Sequence, residues 1–342
     1  MEIRENVILA AYTTFRIGGL ARYFCEVESV DDLKSALKFS KENNLRFFVL
    51  GGGSNILVSD KGFNGLVIKM GIKGLEFKDK GGYSILSAGA GENWDYLVEQ
   101  AVERNLGGIE NLSWVPGSVG GAVHQNIGCY GTELKDVLDW ADVLDCRTNE
   151  ICRFTNNDCC FGYHESVFIN NAGRFIILQA GIKLSKNPAA KIIYPDLIKY
   201  FKNSGEKPDI EKVRIALSEI RKAKGTKLKF GGKIGNAGSF FKNPTIKISN
   251  FQFLISKHPD LKGFDRDNGL VKLSAAQLIE KCGWKGKMHG GVGVSPKHTL
   301  VLVNYGKGTA EEIINLAKDI KMAVKNKFGV ELEPEVEIVG GA

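Results

Sequence analysis

Two glycine-rich runs have the composition of phosphate receptors, because glycine lets backbone N–H groups converge on one anion with no side chain in the way. Gly51-Gly52-Gly53-Ser54-Asn55 follows an apolar segment but lacks both the G-x-G-x-x-G spacing of a dinucleotide-binding turn and the Lys-Ser/Thr of a P-loop. On its own it reads equally as a tight turn or a ligand loop. The second run, Val115-Pro116-Gly117-Ser118-Val119-Gly120-Gly121-Ala122, continues through Gln125-Asn126-Ile127-Gly128-Cys129-Tyr130-Gly131. Glycine at this density costs conformational entropy unless the backbone must approach something closely. The interleaved Val115, Val119, Val123 and Ile127 imply partial burial and favour ligand contact over a mobile surface loop. A third stretch, Gly235-Asn236-Ala237-Gly238-Ser239, ends in a hydroxyl that residue type alone would assign to a turn or a cap.

Regular elements must hold these runs in place. Residues 46–50 read as a buried strand leading into Gly51, and residues 30–44 before it carry Leu33, Ala36, Leu37 and Phe39 at helical spacing. Residues 84–91 read as a strand, and Asn93 as the cap of a helix that buries Trp94, Leu97, Val98, Ala101 and Val102. Further strands are expected over residues 140–146, 150–154 and 174–184. From Asp209 the pattern changes to a long helix with Ile210, Val213, Ala216, Leu217 and Ile220 on one face, followed by a Gly- and Lys-rich crossing over 222–238 that marks a domain boundary. A last helix opens on the capping box Thr309-Ala310-Glu311-Glu312 and stops at Gly329. Residues 330–339 alternate like a strand, which predicts that the chain returns to pair with an earlier sheet.

A chain of 342 residues, 43% of them apolar, can support two or three domains with cores of their own. Its 46 Lys and Arg against 39 Asp and Glu leave a formal charge of +7, yet the basic residues form no continuous block. That argues against a nucleic-acid-binding arm and for a solvated surface, with the collection of an anionic substrate as the alternative. The seven cysteines (Cys25, Cys129, Cys146, Cys152, Cys159, Cys160, Cys282) include no Cys-x-x-Cys pair, and no His stands at zinc-ligand spacing. Reduced thiols and no metal are therefore expected. Met1-Glu2-Ile3-Arg4-Glu5 is charged, and no stretch approaches the roughly 18 apolar residues of a spanning helix, so a cytoplasmic protein without membrane insertion is expected.

Taken in order, the motifs resemble those of the UDP-N-acetylenolpyruvoylglucosamine reductases, the MurB enzymes of peptidoglycan synthesis. The matching segments are Thr14-Phe15-Arg16-Ile17-Gly18-Gly19, Leu50 to Asn55, Pro116 to Gly120 with Gln125 to Gly128, Phe161-Gly162-Tyr163, Gly235 to Pro244 and Leu332-Glu333-Pro334-Glu335-Val336. They span nearly the whole chain. The resemblance implies an α+β protein of three domains, two forming a vanillyl-alcohol-oxidase-like (PCMH-type) FAD-binding fold and a third binding substrate. The implied bounds are 1–71 and 72–221 for the FAD-binding subdomains, with 330–342 returning to the latter, and 222–329 for the substrate domain. Non-covalent FAD, NADPH as electron donor, a UDP-sugar substrate and a monomeric state are implied with it.

The resemblance also assigns roles. Gly51, Gly52, Gly53, Ser54 and Asn55 would hold the flavin diphosphate, while Pro116, Gly117, Ser118, Gly121 and Ile127 would lie along the isoalloxazine and its linker. Tyr194, Lys227 and Asn243 match substrate-binding positions, the tyrosine belonging to a loop of the family's first type. Ser239 matches the proton donor, and Glu335 the carboxyl group that assists it. The reaction needs such groups, because hydride delivery to the enolpyruvyl group leaves negative charge on the adjoining carbon and its carboxylate. One position departs from the pattern: His164 stands where the family has an arginine. Imidazole can supply a hydrogen bond but not the two-point clasp of a guanidinium. An FAD oxidase of the same fold and a catalytically idle FAD or nucleotide-sugar binding protein are the competing readings.

Overall fold

The computed structural model describes residues 1–341 except 163–164, 226–233 and 267–268, and for 265–266 the backbone alone. Compactness divides the chain into two units. One comprises residues 1–7, 21–53 and 64–222, and the other 8–20, 54–63 and 223–342.

The first unit contains two sheets around one apolar core. In the first sheet the strands run in the order Ile3–Ile8, Leu20–Val27, Phe63–Met70, Phe47–Leu50. The last two are parallel, with Leu50 opposite Lys69. In the second sheet Leu138–Asp145 and Phe175–Ser185 form the centre, flanked by Glu150–Thr155 on one side and Tyr83–Gly89 with Leu75–Lys80 on the other. All its pairings are antiparallel. The expected helices form. Val30–Glu42 is capped by Ser29, whose hydroxyl accepts from Asp32 N–H at 3.1 Å, and it buries Leu33 and Ala36. Trp94–Glu103 is capped by Asn93 as its sequence predicts, with Trp94, Leu97, Val98 and Ala101 inside. The Trp94 indole N–H donates to Leu112 O at 3.1 Å and so ties this helix to the segment leading into the second glycine run. That segment is held again by Asp95, which accepts from the Trp114 N–H and from both Nη atoms of Arg214 on helix Ile210–Ala223.

The second unit is assembled from three separated stretches. Its core joins Phe15, Ile17 and Leu57 to Phe240, Phe241, Leu278, Leu302 and the inner face of helix Ala310–Phe328. That helix has the predicted capping box, Thr309 with Glu312, and its stop at Gly329, where φ is +66°. Residues 8–20 and 54–63, assigned from the sequence to the first FAD-binding subdomain, pack into this unit because their apolar residues find their partners here.

One expectation is corrected. The closing strand does not return to the sheet within 72–221. Glu337–Val339 pairs in parallel with Ile56–Val58 inside the second unit. Only those three residues of the alternating run 330–339 form a strand, while Pro334 makes an isolated bridge to Phe241. Val330, Leu332, Val336 and Val339 are buried in this unit, which is what their alternation encoded.

Candidate active site

The two glycine runs of the first unit are built against each other. A Cβ on Gly52 would stand 2.5 Å from Gly117 Cα, and one on Gly51 would stand 2.6 Å from Ser118 Oγ. Gly52 therefore requires glycine for the close approach of two backbones, whereas Gly51 makes room for the Ser118 hydroxyl. The second run is fixed from the far side: Trp94 N–H donates to Gly117 O at 3.1 Å, Val119 N–H to Glu92 O at 2.9 Å and Gly120 N–H to Ala90 O at 2.9 Å. Ser118 is buried and caps helix Val119–His124, its hydroxyl accepting from Gly121 N–H at 3.3 Å. Pro116, Gly117 and Ile127 are half-buried beside it.

This double turn fits a dinucleotide that carries a diphosphate. It offers closely packed backbone on a strand end, where a Cβ on Gly52 would strike the second run. Replacing Gly52 with Ala should push the runs apart and weaken FAD binding at least about tenfold, a loss of about 1.4 kcal/mol, measurable by flavin fluorescence on titrating the apoprotein. Gly121→Ala is the companion variant. Its new Cβ meets only Ser118 Oγ, at 3.5 Å, so flavin lost there would report contact with the ligand itself.

Tyr194 also belongs to the first unit. It stands just before helix Pro195–Ser204, with its ring edge-on to Tyr130 at 5.1 Å between centroids. Tyr130 and Gly131 end the second glycine run, and a Cβ on Gly131 would meet Ile193 at 2.7 Å. Tyr194 is thus seated on the end of the second glycine run. Burial pushes its phenol pKa up, so it acts as a neutral hydrogen-bonding group at ordinary pH.

In the second unit Ser239 lies on a short extended segment flanked on both sides. Gly235 N–H and Asn304 O bond at 2.9 Å and the reciprocal pair at 2.8 Å, and a Cβ on Gly235 would collide with Phe15 O. Gly238 N–H closes a small turn onto Asn236 Oδ1 at 2.9 Å, with Gly238 at φ +73°, and this turn presents Ser239. Ser239 bridges Val301, and Phe240 N–H donates to Leu300 O at 2.8 Å. On the other side Glu335 N–H donates to Phe240 O at 2.8 Å and Lys242 N–H to Glu333 O at 2.9 Å. Phe240 and Phe241 are each 1% exposed and anchor the segment from below, leaving Ser239 partly exposed. Ser239 and Glu335 therefore stand on neighbouring, hydrogen-bonded segments.

Desolvation raises the Glu335 carboxyl from its ordinary 4.5 to about 7, against the opposing pull of the Lys242 and Lys272 ammonium groups. Asn55 Nδ2 donates to Glu335 O at 3.1 Å, so the side chain of this predicted flavin residue supports the segment that carries Glu335. Asn243 is likewise partly committed: its Oδ1 accepts from Ala275 N–H at 2.9 Å, at the start of helix Ala275–Lys281, which aims the amide NH₂ elsewhere. His164 and Lys227 lie outside the described residues.

Three supporting residues escaped the sequence reading. Asn304 is 2% exposed, donates to Phe15 O at 3.0 Å, and accepts from Gly306 and Gly308 N–H at 2.8 and 2.9 Å. It braces the serine turn from a distance of sixty-odd residues, and no local pattern announces it. Asn126, at φ +47°, donates to Glu133 Oε2 at 3.0 Å and accepts from Lys135 N–H at 2.9 Å. An asparagine amid glycines was its available signal. Lys69 Nζ donates to Gly51 O at 2.6 Å, a contact made visible only by strand register.

Together, a glycine cradle for a dinucleotide and a separate hydroxyl–carboxyl pair define an α+β flavoprotein, and the FAD binding domain family matches residues 21–155. The C-terminal domain family of UDP-N-acetylenolpyruvoylglucosamine reductase matches residues 229–339. The chain is 40% identical to the reductase of that name from Flavobacterium johnsoniae, covering 99% of this chain and all of the relative. It is also 40% identical to that from Pseudomonas savastanoi pv. phaseolicola, covering 98% of each. The crystal structure of the Thermus caldophilus reductase (MurB) superposes over 99% of this chain and 100% of that one, with a TM-score of 0.69 and 26% identity. The chain belongs to the UDP-N-acetylenolpyruvoylglucosamine reductase family.

Proposed function

We propose that this chain reduces UDP-N-acetylenolpyruvoylglucosamine to UDP-N-acetylmuramate with NADPH as electron donor, and that Ser239 and Glu335 manage the proton. The observation that carries the residue assignment is the bonded segment that presents Ser239 beside Glu335. When bound, FAD supplies the hydride, taken from NADPH and passed to the terminal enolpyruvyl carbon. Ser239 Oγ gives a proton to the adjoining carbon, from a backbone that ladder bonds on two sides hold in place. An ionised Glu335 would repel the substrate carboxylate. Its pKa, raised to about 7 by burial, keeps a protonated form of Glu335 populated at neutral pH, and that form can donate to the carboxylate or support Ser239. Tyr194, Lys227 and Asn243 bind the nucleotide-sugar by ring contact, charge and amide hydrogen bonds.

Among the described residues no helix is long and apolar enough to cross a membrane. A cytoplasmic location is part of the proposal, supported by seven free cysteines, as is a monomeric state. So is the division of the flavin-binding part near residue 71.

The test is an anaerobic pair of half-reactions. NADPH should bleach the bound flavin, and the enolpyruvyl substrate should restore its colour. No bound flavin, or reduced flavin indifferent to this substrate, would sink the proposal. His164 is addressed by restoring the family residue: His164→Arg should raise turnover or flatten its fall towards alkaline pH, because guanidinium keeps its charge where imidazolium loses it. No change in either would make the position peripheral.

A further inference from the structure

Lys69 reaches across from the neighbouring strand to the point where the first glycine run begins. The register places it opposite Leu50, and its Nζ donates to Gly51 O at 2.6 Å. A trans peptide points its C=O and the following N–H in opposite directions, and no cis peptide is present among the described residues. Holding Gly51 O towards Lys69 therefore turns the Gly52 N–H away from it. Gly52 is exposed, and among the described residues its N–H has no protein acceptor. The same residue is the one whose Cβ would strike Gly117 Cα.

The charge is the second observation. Lys69 is half-buried, desolvation lowers its pKa, and the charged groups facing it are Glu26, which favours the ammonium, and Lys73, which opposes it. It forms no ion pair among the described residues. A neutral donor could satisfy one carbonyl without the cost of desolvating an ammonium. A half-buried positive charge behind a turn whose N–H faces outward is explained if the turn receives an anion.

We propose that Lys69 is a positioning residue for the diphosphate of FAD, fixing the Gly51–Gly52 peptide with its N–H outward and leaving a positive charge behind the turn. The inference rests on the flavoprotein reading and goes beyond it in naming a residue outside both glycine runs.

The test uses full-length apoprotein of the wild type, K69M and K69R. Each is titrated with FAD by flavin fluorescence and with ADP, which carries the diphosphate without the flavin ring, by competition. K69M should weaken FAD and ADP by similar factors, about 10- to 100-fold, the scale of a lost charged hydrogen bond. K69R should recover most of that loss. The FAD affinity of K69M should depend less steeply on salt than that of the wild type, a change that a merely structural lysine would not produce. K69M within about twofold of wild type for FAD, or weakened for FAD but not ADP, would overturn the inference. If K69M apoprotein does not fold, K69Q keeps a neutral donor, and FAD affinity with unchanged salt dependence in K69Q would overturn the role of the charge. Failure of the wild type to bind FAD would overturn the flavoprotein reading itself, an outcome distinct from all of these.

Discussion

Ser239→Ala should leave reduction of the flavin by NADPH at its wild-type rate and slow reoxidation by the enolpyruvyl substrate by about 10²- to 10⁴-fold, the range of a positioned general acid. The separation follows from the chemistry, since accepting hydride from NADPH needs no proton at a substrate carbon. It also follows from the structure. The Ser239 backbone is held by its bridge to Val301 and by the two bonds of Phe240, none of which involves Oγ, so alanine fits the same segment. Rapid mixing of prereduced enzyme with substrate, without oxygen, measures the step directly. Unchanged reoxidation would move the proton donor to another group.

Glu335→Gln should lower the same step by about 10²-fold and change its pH dependence. With the carboxyl at about 7, wild-type reoxidation should fall as pH rises through that value, because the form that donates to the substrate carboxylate is being lost. Glutamine does not titrate, so its weaker activity should be flat there. Stability should move the other way. The folded-state pKa lies above the ordinary 4.5, so the folded protein binds the extra proton between the two values. The stability this contributes is complete below 4.5 and is lost as pH rises through about 7. Removing the charge relieves that penalty, by at most about 3 kcal/mol at pH 8, since each pKa unit is about 1.36 kcal/mol. Denaturant melts at pH 5 and pH 8 distinguish the outcomes. A variant that is slower and also less stable at pH 8 would mean that Glu335 is ionised and paired in the folded protein.

Locally encoded elements were legible in the sequence. Asn93 and Thr309 cap the helices their spacing predicts, and Gly329 ends the last one in the left-handed region that its residue type allows. The flavin cradle was half legible. Each glycine run announced close backbone approach, but that Gly52 lies against Gly117 is a fact about two segments sixty-five residues apart. Ser239 depended wholly on the ordered motifs. As a lone residue it resembles any turn serine, and its distinguishing partners, Leu300, Val301 and Glu335, are brought in by the fold. The closing strand was misplaced for a related reason. Alternation in 330–339 reports which side chains are buried, and is silent about which sheet receives them.

That closing strand also bears on how the protein comes into being. Glu335 sits two residues before a strand whose partner, Ile56–Val58, is made some 280 residues earlier. Unit one has all of its residues by 222, whereas unit two waits for the stretch that supplies Glu335 and Glu337–Val339. On a chain synthesised at about 5–20 residues per second and folding from the N-terminus, the glycine cradle would have its core well before the serine segment has its second neighbour. Until then Phe15, Ile17 and Leu57 have no complete core to enter. The nascent protein should therefore pass through an interval in which Gly51–Gly53 and the second glycine run have their core while Ser239 still lacks Glu335 as a neighbour.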